Sequence, residues 1–130
     1  MSQPVSALPS PSPRSDGGIA VVYAGDYVNK LGGMRIEREC LLRLEGGCRA
    51  LVINFKGTEL VNSIGVSILL GVIEEAARKQ TRVVFAGASR QTVKLFDMLG
   101  LTRHVALAES EEAALATLSE FDSDAPRPGH

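Results

Sequence analysis

A nearly unbroken apolar run at residues 50–55 constrains the fold of this chain more than any other feature of the sequence. A strand that is apolar on both sides of its pleat must be covered on both faces, as is typical of a central strand in a parallel sheet. The β-branched runs at 19–24 and 82–87 predict two further strands, and 105–107 predicts a short one.

Helical patterns alternate with these strands. Apolar spacing at 36, 40, 41 and 44 predicts a helix over residues 34–44, after a break at 31–33, and Gly46-Gly47 ends it. Further helices are expected over 63–79, over 90–99 after a Ser89 cap, and from Ser110 to Leu118, with a turn and loop at 56–62. The alternation predicts a single α/β domain with a sheet of about four to five strands and helices packed against it.

The domain organisation follows from composition. A chain of 130 residues has room for one core. Residues 1–18 are rich in Pro and Ser and predict a flexible leader, residues 19–120 the folded domain, and residues 121–130 a flexible tail. The leader lacks the cationic start and apolar run of a signal peptide, and the longest apolar stretch, 66–73, is too short to cross a bilayer, so we expect a cytoplasmic protein.

Charge and cysteine usage argue against several function classes. The formal net charge is -1 and aromatic residues make up 5% without Trp, which predicts no direct nucleic-acid binding and no membrane insertion. Cys40 and Cys48 have no nearby His or Cys partner, because His104 and His130 are distant, so we expect reduced thiols and no metal site.

Catalytic and cofactor motifs are also missing from the sequence. No glycine-rich phosphate-binding motif follows a strand, so no cofactor is predicted. Asp26 and Glu59 follow strands, but no other carboxylate is spaced as their partner. We therefore expect a protein that is not an enzyme.

The segment 57–67 after the central strand is the candidate functional site. It passes from a loop into a helix whose cap or first residue is Asn62 or Ser63. A phosphate on Ser63 would lie in the field of the helix start and add up to about two negative charges. The simpler interpretation is a helix cap alone, worth about 1 kcal/mol.

At this point the sequence resembles the STAS domain family of bacterial anti-sigma factor antagonists. Asn62-Ser63-Ile64-Gly65-Val66-Ser67 matches the family's Asp-Ser-x-Gly motif, with Ser63 on the phosphorylatable serine. Residues 93–101 resemble the family helix that ends in Gly-Leu, and Gly25-Asp26 lies where the family has Gly-Glu. The resemblance covers residues 19–118.

This resemblance implies a regulator that binds an anti-sigma factor which is also a serine kinase, thereby freeing a sigma factor and controlling transcription. Phosphorylation of Ser63 by that kinase would break the contact and a phosphatase would restore it; ATP belongs to the kinase, so no cofactor is expected. The implied partner-binding residues are Asp26, Thr58, Asn62, Ser63, Ile64, Gly65 and Ser67.

Departures from the family pattern leave alternatives open. Asn62 replaces the motif Asp, Val28 replaces an acid of the early segment, Ile64 stands where a second Ser or Thr is common, and Ser67 replaces a Gly. A constitutive, unphosphorylated interaction module therefore remains an alternative, either as a scaffold of a sensory assembly or as the cytoplasmic partner of a lipid-transport ATPase. A small-ligand site near Ser63 is a third. The family's extra N-terminal strand is either absent or supplied by residues before Asp16.

Overall fold

A computed structural model of the chain describes residues 18–124, with residues 120–124 described as helical backbone. Its strands are β1 (Ile19–Tyr23), β2 (Tyr27–Val28), β3 (Ala50–Asn54), β4 (Leu60–Val61), β5 (Arg82–Ala86) and β6 (Ala106–Ala108). Its helices are α1 (Lys30–Glu45), α2 (Ser63–Arg78), α3 (Arg90–Met98), a 3₁₀ turn (Leu101–Arg103) and α4 (Glu111–Asp124). Residues 1–17 of the predicted leader, which include the segment that could supply the extra strand, and residues 125–130 of the predicted tail lie outside this range.

Four of the strands form one parallel sheet in the order β1-β3-β5-β6. The strand predicted to be central, β3, is paired on both edges and every residue in it is buried. β2 and β4 form a separate two-stranded parallel ladder. The predicted α/β class, with a sheet of this size and helices against it, is confirmed.

Alternation along the strands divides the core between the two faces of the sheet. Leu51 and Ile53 of β3 pack with α1, α2 and α3, whereas Ala50 and Val52 pack against α4. Three phenylalanines fill the first layer with ring centroids 5.0–5.2 Å apart: Phe55, Phe85 and Phe96. Along the chain, α1 comes after β1 and β2, and α2 comes after β3 and β4. Because β1 and β3 are parallel, both helices begin at the edge of the sheet where these strands end.

Two predicted boundaries were wrong near this edge. The break expected at 31–33 is helical, because Asn29 caps α1 and starts it at Lys30, four residues before Met34. The loop expected at 59–62 contains β4, which is short and gains its hydrogen bonds from β2. At the other end of the chain, α4 continues past Leu118 to Asp124. None of the helices within residues 18–124 is long and apolar enough to span a membrane.

Candidate functional site

The β2–β4 ladder brings the starts of α1 and α2 together. Tyr27 is paired with Leu60 and Val28 with Val61, and each strand leads directly into its helix. The backbone N–H of Asn62 extends the ladder by donating to the Val28 carbonyl at 3.1 Å. The first residues of α1 and α2 therefore lie side by side.

Both helices begin with the same asparagine cap. The Asn29 Oδ1 accepts a hydrogen bond from the Gly32 N–H at 2.9 Å, and the Asn62 Oδ1 accepts one from the Gly65 N–H at 2.8 Å. Each cap satisfies one of the N–H groups that a helix start leaves unpaired. Asn62 is thus the cap of α2, and Ser63 is its first helical residue.

Glycines allow these helix starts to pack closely. Gly65 is buried, and a Cβ there would overlap the Val28 carbonyl oxygen and lie 2.8 Å from the Val28 carbonyl carbon and Cγ1. A Cβ on Gly33 would lie 2.8 Å from Ile68 Cδ1 and 3.6 Å from Gly65 Cα. The buried glycine at 65 therefore allows the start of α2 to approach Val28 of β2 closely.

Residues of the predicted partner set differ in exposure. Asp26, Ser63, Ile64 and Ser67 are exposed, whereas Thr58, Asn62 and Gly65 are buried or half-buried. Thr58 Oγ1 donates to the Gly25 carbonyl at 2.6 Å, and the Asp26 carbonyl accepts from the Glu59 N–H at 2.8 Å. Thr58 therefore holds the loop before β2 against the loop before β4, and it supports the site from beneath.

Ser63 lies on the exposed side of α2, at its first residue. No hydrogen bond with another described residue engages its hydroxyl, and its side chain is exposed. The Ser63 and Ile64 N–H groups belong to the unpaired first turn of α2. A group attached to this hydroxyl could be accommodated without displacing a core residue.

Exposed apolar side chains lie on the same ladder and helix starts as Ser63, and most of them were not identified from the sequence. Leu31 is 79% exposed and Ile64 is 50% exposed, each as the second residue of its helix. Tyr27 and Leu60, which are neighbours across the ladder, and Met34, one turn after Leu31, are exposed as well. We call Tyr27, Leu31, Met34, Leu60, Ser63 and Ile64 the helix-start surface.

A short repeat in the sequence could have revealed the residues that the start of α1 contributes to this surface. Residues 28–32 read Val-Asn-Lys-Leu-Gly and residues 61–65 read Val-Asn-Ser-Ile-Gly. The repeat gives both helices the same cap, the same exposed apolar second residue and the same glycine. The break predicted at residues 31–33 falls within the first copy, so the repeat was not recognised as two matching helix starts.

A second polar cluster lies at the ends of β1 and β3. Glu111 Oε1 accepts hydrogen bonds from the Tyr23 hydroxyl at 2.8 Å and from Asn54 Nδ2 at 3.0 Å, linking the start of α4 to both strands. The hydrogen bond to Glu111 raises the pKa of Tyr23. Asn54 is buried with its Oδ1 accepting from the Lys56 N–H at 2.8 Å, so both ends of its amide are satisfied.

The cysteines and metal-ligand types do not assemble into a further site. Burial raises the pKa of Cys40 to about 12 and raises that of Cys48. A thiol that stays protonated is a poor nucleophile. Across residues 18–124, no group of three His, Cys, Asp or Glu side chains is placed to hold a metal ion.

The family model of the STAS domain matches residues 34–114 of this chain. The chain belongs to the STAS domain family. The match includes α2 with Ser63 and the strands on either side of it, so the predicted family membership is confirmed.

Solved structures with the same fold include transporter domains and an anti-sigma factor antagonist. This STAS domain superimposes on a sulfate transporter family protein from Wolinella succinogenes with a TM-score of 0.74 at 13% identity, covering 82% of this chain and 88% of the other. The STAS domain of a SulP transporter from Vibrio cholerae gives 0.69 at 19% identity, covering 87% and 88%. The unphosphorylated anti-sigma factor antagonist SpoIIAA gives 0.67 at 19% identity, covering 79% and 90%.

Proposed function

We propose that this STAS protein is a cytoplasmic anti-sigma factor antagonist and not an enzyme. Its helix-start surface would bind an anti-sigma factor that is also a serine kinase, and phosphate on Ser63 would break that contact. The observation that carries the proposal is the position of Ser63, exposed at the start of α2 among exposed apolar side chains. The similarity in fold to SpoIIAA supports it.

The apolar side chains supply the attraction in this proposal. Contiguous exposed apolar patches on a small soluble protein are typical of interaction sites. Leu31 and Ile64 project from neighbouring helix starts whose backbones are fixed by their caps and by the ladder. A rigid apolar surface loses little conformational freedom on binding, which favours affinity.

Ser63 supplies the switch. A phosphate would add up to about two negative charges to this surface. Removing those charges from water on complex formation is costly unless the partner provides cations. The caps and the Gly65 contact with Val28 lie beneath Ser63 and need not change, so the phosphate would alter binding without altering the fold.

A second candidate function is a constitutive STAS interaction module. It is favoured by Asn62, which caps α2 without a carboxylate, and by Val28, which is fully buried in place of an acid. In that case the helix-start surface would hold a permanent partner, and the protein would be either a scaffold of a sensory assembly or the cytoplasmic partner of a lipid-transport ATPase. The partner would bind whether or not Ser63 carries a hydroxyl.

Capture of partners from the source cell tests the surface itself. Ile64→Ala and Leu31→Ala should each weaken binding of the captured partner about tenfold, the effect of a well-buried interface anchor. Leu107→Ala is the matched control, because Leu107 is 45% exposed on β6, away from the helix starts. Equal retention of the partner by all three variants would place binding elsewhere.

Intact-mass measurement distinguishes the two candidates. Protein isolated from its native cells should contain a population heavier by one phosphate, and fragmentation should locate that phosphate on Ser63. If the phosphate is absent under all growth conditions while the partner is still captured, the constitutive module is the correct function.

A further inference from the structure

A cavity of about 300 Å³ lies between the second half of α2 and the segment that follows the 3₁₀ turn. Leu70, Ile73 and Ala77 line it from α2, Val83 lines it from β5, and His104 lines it from the segment after the turn. α2 packs closely against α1 but makes few contacts with α3. The cavity is therefore a gap in the layer of helices that covers this face of the sheet, and its volume is at the lower end of pockets that hold small molecules.

The walls of this cavity are mostly apolar. Ile73 and Val83 belong to the main core, where they are 4% and 5% exposed. Leu70 is half-buried, and Ala77 is exposed at the opening. An apolar cavity offers water few hydrogen-bond partners, and it is filled more favourably by a compact apolar molecule.

The polar side chains of the lining indicate what the ligand must offer. They are Glu74, Thr81 and His104. The Thr81 hydroxyl donates to the Cys48 carbonyl at 3.3 Å and is therefore already engaged. Glu74 is exposed, and no hydrogen bond or ion pair joins its carboxylate to another described residue. Because a carboxylate accepts hydrogen bonds and does not donate them, a ligand that engages Glu74 needs an N–H or O–H donor.

We propose that this cavity binds a compact, uncharged apolar molecule with one N–H or O–H donor, and that Glu74 accepts the hydrogen bond from that donor. The ligand is uncharged because removing a charge from water among Leu70, Ile73 and Val83 is costly. Leu70 lies two turns along α2 from Ser63. The site is therefore separate from the helix-start surface, and it does not rest on the proposed partner binding.

Titration calorimetry of the full chain with indole and 1-methylindole tests the role of Glu74. The two probes share one ring system, and only indole has an N–H donor. Glu74→Ala should weaken indole binding at least about tenfold, because it removes a hydrogen bond to a charged group, and it should leave 1-methylindole binding unchanged. Glu45→Ala is the matched control, since it removes an exposed carboxylate at the end of α1 and should change neither affinity.

A larger side chain at the opening tests the cavity itself. Ala77→Phe should weaken the binding of both probes at least about tenfold, because the new ring competes with them for the same space. Ala77 is exposed, so the variant should fold, and circular dichroism checks that it does. Ala116→Phe is the control, since Ala116 is exposed on α4, the helix on the other face of the sheet.

Nuclear magnetic resonance locates the bound probe. Indole should shift the methyl signals of Ile73 and Val83, which line the cavity, and leave those of Leu31 and Ile64 on the helix-start surface unchanged. Three results would overturn the proposal: no binding of indole up to its solubility limit, equal weakening of both probes by Glu74→Ala, or methyl shifts confined to Leu31 and Ile64.

Discussion

Replacing Gly65 by alanine tests the packing beneath the candidate site. The new Cβ would lie 2.8 Å from the Val28 carbonyl carbon and from Val28 Cγ1, and it would overlap the carbonyl oxygen. Favourable carbon–carbon separations are about 3.5–4.0 Å, so the start of α2 must move by roughly 0.7 Å or more. That movement stretches the hydrogen bond from the Asn62 N–H to the Val28 carbonyl.

The magnitude follows from opposing contributions. Overpacking costs about 1–3 kcal/mol, and weakening one buried hydrogen bond costs about 1 kcal/mol. Alanine recovers about 1 kcal/mol of helix propensity relative to glycine. Gly65→Ala should therefore lower the free energy of unfolding by about 1–3 kcal/mol.

Gly71→Ala on the same helix is the matched control. Gly71 is exposed, and a Cβ there would meet no atom within 4 Å. This change should raise the free energy of unfolding by about 0.5–1 kcal/mol. Urea denaturation followed by circular dichroism measures both variants, and a Gly65→Ala protein as stable as Gly71→Ala would refute the close approach of α2 to Val28.

Other predictions concern the cap, the thiols and the tyrosine network. Asn62→Ala should lower stability by about 1 kcal/mol in urea denaturation, whereas Asn62→Asp keeps the cap, adds a charge favoured at a helix start and should be at least as stable as the parent; equal loss in both would contradict the cap. Because the pKa of Cys40 is raised to about 12 by burial, native protein should resist alkylation at neutral pH until it is unfolded, as mass spectrometry can follow. Glu111→Ala should lower the pKa of Tyr23 towards its ordinary value, since the neutral phenol loses its hydrogen-bond acceptor, and ultraviolet titration against Tyr23→Phe measures the change.

The elements that can be predicted from the sequence are those whose own residues determine how they pack or where they begin. The β3 run is apolar on both faces because both faces are covered, so its central position can be inferred from its own residues. Ser89 and Ser110 were identified as caps because a side-chain acceptor three residues before a free N–H is a local property, and both hydroxyls accept that bond.

The parts that the sequence does not predict depend on tertiary contacts. β2 and β4 have two residues each and are strands only because they pair with one another. Neither is long enough to show the two-residue period of a strand in the sequence. Gly32 and Gly33 are typical of a break, yet they are helical because Asn29 caps α1 before them. Glycine is needed at both positions because a side chain would clash with Tyr27 at 32 and with Ile68 at 33. The exposed position of Leu31 at the start of α1 was therefore missed, since a residue assigned to a break is not expected on a helix.

The binding of the partner by Ser63 variants tests the central proposal most directly. With the captured anti-sigma partner in a calorimetric titration, Ser63→Ala should bind as the parent does, whereas Ser63→Asp should bind at least about tenfold more weakly because an unpaired carboxylate must be buried. Ser119→Asp is the control, as Ser119 is an exposed serine on α4, the helix on the other face of the sheet. Equal affinities for the parent and Ser63→Asp would contradict a switch at Ser63.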